Sequence, residues 1–255
     1  MLGPERHRAI LRLLAERGSL SLAEIGTQLN MSPATVRRDA NGLTKAGLAC
    51  RTHGGLLLPN FVVAEPEYLR KAGKAAGVKA RIGRATADLV PEEGNVFVDA
   101  GSTCLEVGRI LLERPNLRIF TNSVPLLALA GQGQATVTSV GGEVRKLSLA
   151  LTGAFALGWL RQLRFDVAVI GASGLDPREG AFTTEITEAG IKAEALRRAH
   201  LTILVAHGEK WKQASVYRFA PWAAFDHFLT DRPIARGERS CLNQANTKIH
   251  VVATR

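Results

Sequence analysis

The sequence predicts two domains of different class: a small, mainly helical unit closed by a short β wing, and a larger α/β domain with a mostly parallel sheet. Three observations predict this. The chain has 255 residues, and at ~100–200 residues per domain that length suits two domains, or one large and one small. Residues 1–58 carry apolar side chains at helical spacing and close on a Gly-Gly turn. From residue 79 onward, short apolar runs alternate with helical segments, the pattern of strands covered by helices on both faces. The charged, Gly- and Ala-containing stretch between them is read as a linker, so the expected boundaries are 1–58, 59–78 and 79–255.

The first unit reads as three helices. ERHRAILRLLAERG spaces Ile10, Leu13 and Leu14 along one face and arginines along the other, with Gly18 as a stop. LAEIGTQLN turns Leu22, Ile25 and Leu29 inward. Ser32 is a good N-cap and Pro33 fits the first helical position, where a missing N–H costs nothing. That third helix runs to about Ala46, and Gly47 ends it. Gly54-Gly55 turns between CRTH and LLL in a two-stranded wing. A helix, a short turn and a capped helix with paired arginines form a helix-turn-helix pattern. Ser32, Ala34, Thr35 and Arg38 are placed to meet base edges or phosphates, and Arg37, Arg51 and His53 to meet flanking phosphates. The same spacing suits an ordinary three-helix subdomain with solvated arginines.

The second unit opens with RIGRATADLV, an amphipathic helix, and the strand NVFVD, which ends at Asp99. Gly101, Ser102 and Thr103 follow, then the helix CLEVGRILLE. Strand, small polar loop and helix is a phosphate-binding layout, since backbone N–H groups at a helix start face the anion. The strand LRIF leads to Thr121-Asn122-Ser123 and a helix LLALAG. ATVTSV leads to Gly141-Gly142, VAVIGAS to the Gly171 loop, and LTILVA to His207-Gly208-Glu209-Lys210. HFLTD and KIHVVAT complete seven strand-like runs. Ligands of such sheets sit at the strands' carboxyl ends, where these polar loops converge.

Composition narrows the class. Apolar residues make 46% and charged residues 22%, enough to bury a core and against wholesale disorder. The net charge of +10 and a pI near 10.1 point to an anionic partner, nucleic acid or phosphorylated molecules. Residues 1–60 hold eight basic and four acidic residues, and the remainder 25 and 19, so the excess is denser in the first unit without being confined to it. Cys50, Cys104 and Cys241 are odd in number and give no disulfide framework or C-x-x-C pair. The polar opening MLGPERHRAI is not a secretory signal, and no run of ~18 apolar residues spans a membrane. A cytosolic protein without metal or cofactor is expected.

The residues resemble the DeoR family of bacterial transcriptional regulators over nearly the whole chain. Ser32-Pro33-Ala34-Thr35-Val36-Arg37-Arg38-Asp39 and Arg51-Thr52-His53-Gly54-Gly55 carry the match in the first unit. In the second it is carried by Val98-Asp99-Ala100-Gly101-Ser102-Thr103, Thr121-Asn122-Ser123, Gly141-Gly142, Phe165-Asp166, the Gly171 loop, Glu188-Ala189, Lys192, Lys210 and Thr230-Asp231. The resemblance implies a winged helix-turn-helix followed by a sensor domain similar to ribose-5-phosphate isomerase and the CoA-transferases. It implies double-stranded operator DNA and a phosphorylated sugar or related metabolite as partners, and repression of a sugar-catabolic operon by a dimer or tetramer. Carried over residue by residue, Asp99, Gly101, Ser102, Thr103, Thr121, Asn122, Ser123 and Lys210 would hold the effector, with Gly141 and Gly142 as a close-approach pair.

One stretch departs from the family pattern: His207 stands where an Asp usually precedes the lysine by three residues, and Gly208 and Glu209 replace the more usual polar pair. A group that donates or titrates replaces an acceptor. An isomerase- or CoA-transferase-like enzyme is the alternative, with Asp99, Glu188 and Lys210 cast as acid and base, but a shared fold does not confer catalysis. Glu188 and Lys192 are also spaced to pair with each other. His7, His200, His227 and His250 lack metal-ligand spacing and are read as surface or packing residues. Trp211, Trp222 and Phe225 are read as covering a sheet edge or a subunit contact, and Arg145-Lys146 as a solvated pair.

Overall fold

The computed structural model describes residues 3–17, 19–52, 55–57, 75–213 and 215–252. The chain divides into two compact units, residues 1–67 and 68–255.

In the first unit, α1 spans Gly3–Arg17, α2 Leu22–Leu29 and α3 Pro33–Lys45. Ser21 and Glu24 form a capping box on α2: the Glu24 N–H donates to the Ser21 hydroxyl at 3.1 Å, and the Ser21 N–H to the Glu24 carboxylate at 2.7 Å. Ser32 caps α3, with Pro33 in its first turn, as expected from the sequence. Ile10, Leu14, Ile25, Val36, Ala40, Leu43 and Leu56 form the core, with Leu13, Leu22 and Leu29 packed against it. The wing has three strands rather than two. Besides β2 (Cys50–Thr52) and β3 (Gly55–Leu57), Ser19–Ser21 forms β1 and pairs antiparallel with β3. Three residues are too few to show a period of two, so no pattern announced β1. Gly55 is required by that pairing, because a Cβ there would lie 2.4 Å from the Leu20 carbonyl oxygen.

Among the described residues, the second unit opens with α4 (Ala76–Ala87) and is built on seven strands: β4 (Gly94–Val98), β5 (Leu117–Thr121), β6 (Thr136–Ser139), β9 (Phe165–Gly171), β12 (Ala199–Val205), β14 (His227–Thr230) and β15 (Lys248–Val251). Their order is β15-β14-β12-β9-β4-β5-β6, with every pairing parallel. All seven match the apolar runs of the sequence. Alternate residues feed opposite cores: Val96 and Val98 face one with Ile119 and Val167, while Phe97 faces the other with Phe120 and Phe165. Burial on both faces is why the inner runs are mostly apolar, whereas the edge strands β6 and β15 stay largely exposed.

Short antiparallel pieces decorate this sheet and escaped the sequence reading: β7 (Glu143–Arg145) with β8 (Ala150–Thr152), and β10 (Gly174–Asp176), β11 (Gly180–Thr183) and β13 (Tyr217–Ala220). The helices that matter for the site are α5 (Ser102–Leu111), α6 (Val124–Leu127), α7 (Gly153–Leu160) and α8 (Ile186–Arg198); α9 (Arg236–Gln244) precedes β15. The helix expected over LLALAG is shorter and earlier, since Ser123 caps it and Pro125 sits in its first turn.

From β4 the chain winds outward through β5 to β6. It then returns to β9, on the other side of β4, and winds outward again through β12, β14 and β15. The reversal lies between β4 and β9, where sheets of this kind open a crevice at their carboxyl ends. Among the described residues, no helix is long and apolar enough to cross a membrane.

Candidate functional site

Two sites emerge, one in each unit. In the first, α3 buries Val36, Asp39, Ala40 and Leu43 and exposes Ala34, Arg37, Arg38, Asn41 and Lys45 on the opposite side. Ser32 is exposed at the cap, and its hydroxyl lies 2.8 Å from that of Thr35. Arg51, on β2, donates to the Asn41 carboxamide at 2.9 Å, which couples the wing to the exposed face of α3. Asn41 and Lys45 were missed in the sequence, although both continue the spacing of Ala34, Arg37 and Arg38. His53 lies outside the described residues. Behind this face, the Arg6 guanidinium grips buried Asp39 at 2.6 and 3.1 Å, tying α1 to α3. Hydrogen bonding from Arg6 holds the Asp39 carboxyl below its ordinary range.

In the second unit, the loops after β4, β5 and β9 meet around Asp99. One carboxylate oxygen of Asp99 accepts from the Gly171 N–H at 3.0 Å and from the Lys192 ammonium; the other is buried with no protein partner. Asn122 accepts the Ala100 N–H at 2.8 Å, Thr121 donates to the Val98 carbonyl at 2.6 Å, and Ser123 caps α6. Gly101 has φ +142° and open space where a Cβ would stand. It gives α5 no side-chain cap, so no N-cap side chain meets the first amides of that helix. Ser102 and Thr103 follow, half-buried.

Lys192 also donates to the Gly171 carbonyl at 3.1 Å. Burial opposes its charge, but Asp99 and Glu188 outweigh that and raise it. Glu188 accepts from Thr183 at 3.0 Å and from Arg145 at 3.1 Å; burial opposes its charge too, and Lys192 and Arg145 hold it low. Burial raises Asp99 in spite of Lys192. Lys192 and Glu188 thus stabilise each other's charge, while the hydrogen bonds of Lys192 go to Asp99 and Gly171 and those of Glu188 to Thr183 and Arg145. Arg145 is corrected from a solvated residue to an ion-paired one, because Glu188 and Glu185, 3.9 Å away, draw it inward.

Other expected residues lie elsewhere or serve otherwise. A Cβ on Gly142 would meet the Thr152 carbonyl at 2.3 Å, and one on Gly141 the Phe155 ring at 2.8 Å. Both take positive φ, so packing against β8 and α7 already calls for a glycine at each position. Lys210 follows β12, one strand beyond β9, and its ammonium donates to Gln213 at 2.8 Å. His207 lies 3.6 Å from Asp231, whose other oxygen accepts the Gly208 N–H at 2.7 Å. The lysine at Asp99 is therefore Lys192, from α8. Trp222 and Phe225 belong to the core, with Trp211 stacked on Trp222 at 5.6 Å. His227 and His250 pair with each other, ring nitrogens 2.8 Å apart. Among the described residues, no three His, Cys, Asp or Glu side chains cluster to hold a metal.

A family model described as "DeoR-like helix-turn-helix domain" matches residues 6–61, and one described as "DeoR C terminal sensor domain" matches residues 74–232. The chain is 30% identical over 230 residues to the "Glycerol-3-phosphate regulon repressor" of Escherichia coli K12, covering 90% of this chain and 91% of that one. It is 30% identical over 249 residues to the "HTH-type transcriptional regulator GlpR" of Haloferax volcanii, covering 98% of each. Among solved structures, ribose 5-phosphate isomerase A of Methanocaldococcus jannaschii overlays 53% of this chain and 54% of that one at a TM-score of 0.39 and 15% identity.

Proposed function

The chain belongs to the DeoR family of DNA-binding transcriptional regulators, and on that premise we propose that it is a repressor of a sugar-related operon, released by a small phosphorylated polyol or sugar. The observation that carries the effector half is the Asp99 crevice at the reversal between β4 and β9. The uncapped start of α5 offers amides to a phosphate. The unpartnered oxygen of Asp99 offers an acceptor to a ligand hydroxyl. Two carboxylates and two cations, Asp99, Glu188, Lys192 and Arg145, neutralise one another in the wall, so phosphate capture falls to the amides at the start of α5, with Lys210, which follows β12, to be tested as a further contact. Relatives named for the glycerol-3-phosphate regulon agree with a ligand of this size and charge. The DNA half rests on the exposed face of α3 with Arg51 from the wing.

The test is fluorescence anisotropy of the full chain on its own promoter DNA, titrated with glycerol 3-phosphate and with pentose and hexose phosphates. One of these should release the DNA while its unphosphorylated form does not. Tight promoter binding that no phosphorylated compound alters would reject the effector half and leave the DNA half standing.

A further inference from the structure

Residues 147–160, LSLALTGAFALGWL, contain no charged residue in a chain of net charge +10. They hold β8 and all of α7. A helix apolar on every side is normally covered on every side. Here Ala156 and Leu160 enter the core, yet Phe155 and Trp159 on another side are 64% and 52% exposed. Their rings touch edge-on at 6.5 Å. Val144, Leu147 and Ile186 are exposed as well. They are tied to the same region, because β7 pairs with β8 and Arg145 reaches Glu185, the neighbour of Ile186. Phe155 and Trp159 alone leave on the order of 200 Å² of ring surface in water. That is the beginning of a patch of the size that marks an interaction site.

We propose that this α7 face is where a second copy of the chain docks, about a two-fold axis. Three arguments select that occupant. Two copies of a +10 chain repel through most of their surface, and this face is uncharged. Its rim carries both signs, Glu143 and Glu185 beside Lys146 and Arg161, so an axis that sets the patch against itself can oppose unlike charges. A helix-turn-helix reads one half-site, and two joined copies read a palindrome. Stable pairing needs roughly 800 Å² from each partner, apolar at its centre and polar at its rim. The aromatic pair supplies the centre. The face also touches the effector wall through Phe155 against Gly141 and Arg145 against Glu188, although the docking itself does not depend on which metabolite binds there.

The experiment is sedimentation velocity on the full chain and on a Phe155→Glu/Trp159→Glu variant, with circular dichroism as the check on folding. The parent should sediment as a dimer or larger assembly and the variant as a folded monomer. The variant's affinity for a palindromic operator should fall by on the order of 100-fold as bivalent binding is lost. Gly158→Cys gives a second measure in the otherwise intact chain, since a Cβ there meets open space. Mild oxidation should cross-link it to a covalent dimer, while Arg109→Cys, exposed on α5, should not cross-link. A monomeric parent, a variant of unchanged mass, or a dimer that Gly158→Cys fails to cross-link would overturn the proposal. Should the double variant not fold, the cross-link decides.

Discussion

The Asp99 carboxylate accepts the Gly171 N–H at 3.0 Å and so joins β4 to β9 across the point where the winding of the sheet reverses. The same oxygen takes the Lys192 ammonium from α8. One side chain, 1% exposed, therefore fixes two strand ends and a helix around the proposed effector crevice. A charge so deeply placed is stable only while its partner is present.

Removing the partner tests that statement. Lys192→Ala leaves Asp99 buried without its cation and should lower stability by roughly 3–5 kcal/mol, as seen for broken buried pairs. The double change Asp99→Asn/Lys192→Met removes both charges and should cost much less. Urea unfolding of parent, single and double variants measures this, and an equal loss in both variants would contradict the pairing. The Lys192 ammonium is raised above its ordinary 10.5, so its contribution persists through neutral pH and fades only as pH rises beyond that value.

A second pH dependence comes from the far edge of the sheet. His227 on β14 and His250 on β15 lie 2.8 Å apart through ring nitrogens. Burial lowers both, and the partner ring and Lys248 lower His227 further. A base depressed in the folded state binds its proton more readily when unfolded. Stability should thus be fully present above about pH 6.5, the ordinary value, and decline as pH falls below it. Thermal melts between pH 5 and 8 on the parent and on His227→Gln/His250→Gln should show that slope flatten in the variant. An identical slope would remove these two side chains as its source.

Much of the architecture was legible because its signals are local or periodic. Ser32 and Pro33 mark the start of α3 by capping chemistry alone. The inner strands β4, β5, β9, β12 and β14 show themselves as apolar runs because both faces are buried, while the edge strands β6 and β15 are more exposed and more polar. What escaped depends on partners distant in sequence. Lys192 meets Asp99 across 93 residues, and no spacing within α8 reveals that. Arg145 meets Glu188 across 43. The strand Ser19–Ser21 exists only because β3 lies beside it. Asn41 and Lys45 are different: the period that exposes Arg37 and Arg38 exposes them too, and following it two more steps would have found both.

The DNA surface yields a graded prediction. Arg38→Ala should cost about 1–3 kcal/mol of operator affinity and relax specificity at one base position, if it meets a base edge. Arg51 is held by Asn41 beside the face, so Arg51→Ala should weaken binding to all sequences alike. Each lost phosphate contact should also flatten the salt dependence by about 0.9 in log K against log salt. Anisotropy on operator and scrambled duplexes at several salt concentrations separates the two behaviours. An Arg38→Ala protein with the parent's affinity and specificity would show that α3 is not the reading helix.

The effector site carries the last prediction. Residues 75–252 contain all the groups proposed to hold the ligand, and Lys210, whose ammonium donates to Gln213, is the lysine to test beside them. A lysine binds phosphate as a point charge, so Lys210→Ala should weaken binding of the releasing sugar phosphate while operator affinity without ligand stays unchanged. Asp99→Asn alters the site differently. It keeps the shape, removes the charge that holds Lys192, and turns part of an acceptor into a donor, so it should weaken phosphorylated and unphosphorylated ligands together. Linkage constrains both variants: the factor by which sugar lowers DNA affinity must equal the factor by which DNA lowers sugar affinity. A change that only weakens ligand contacts, equally in both DNA-binding states, leaves that factor alone; one that loosens the joint between β4 and β9 changes it. Lys210→Ala should therefore keep the parent's coupling and Asp99→Asn should reduce it. Calorimetric titration of the sugar phosphate with and without operator duplex measures both quantities. Full sugar affinity in Lys210→Ala would remove that lysine from the site, and full coupling in Asp99→Asn would move the switch away from the strand reversal.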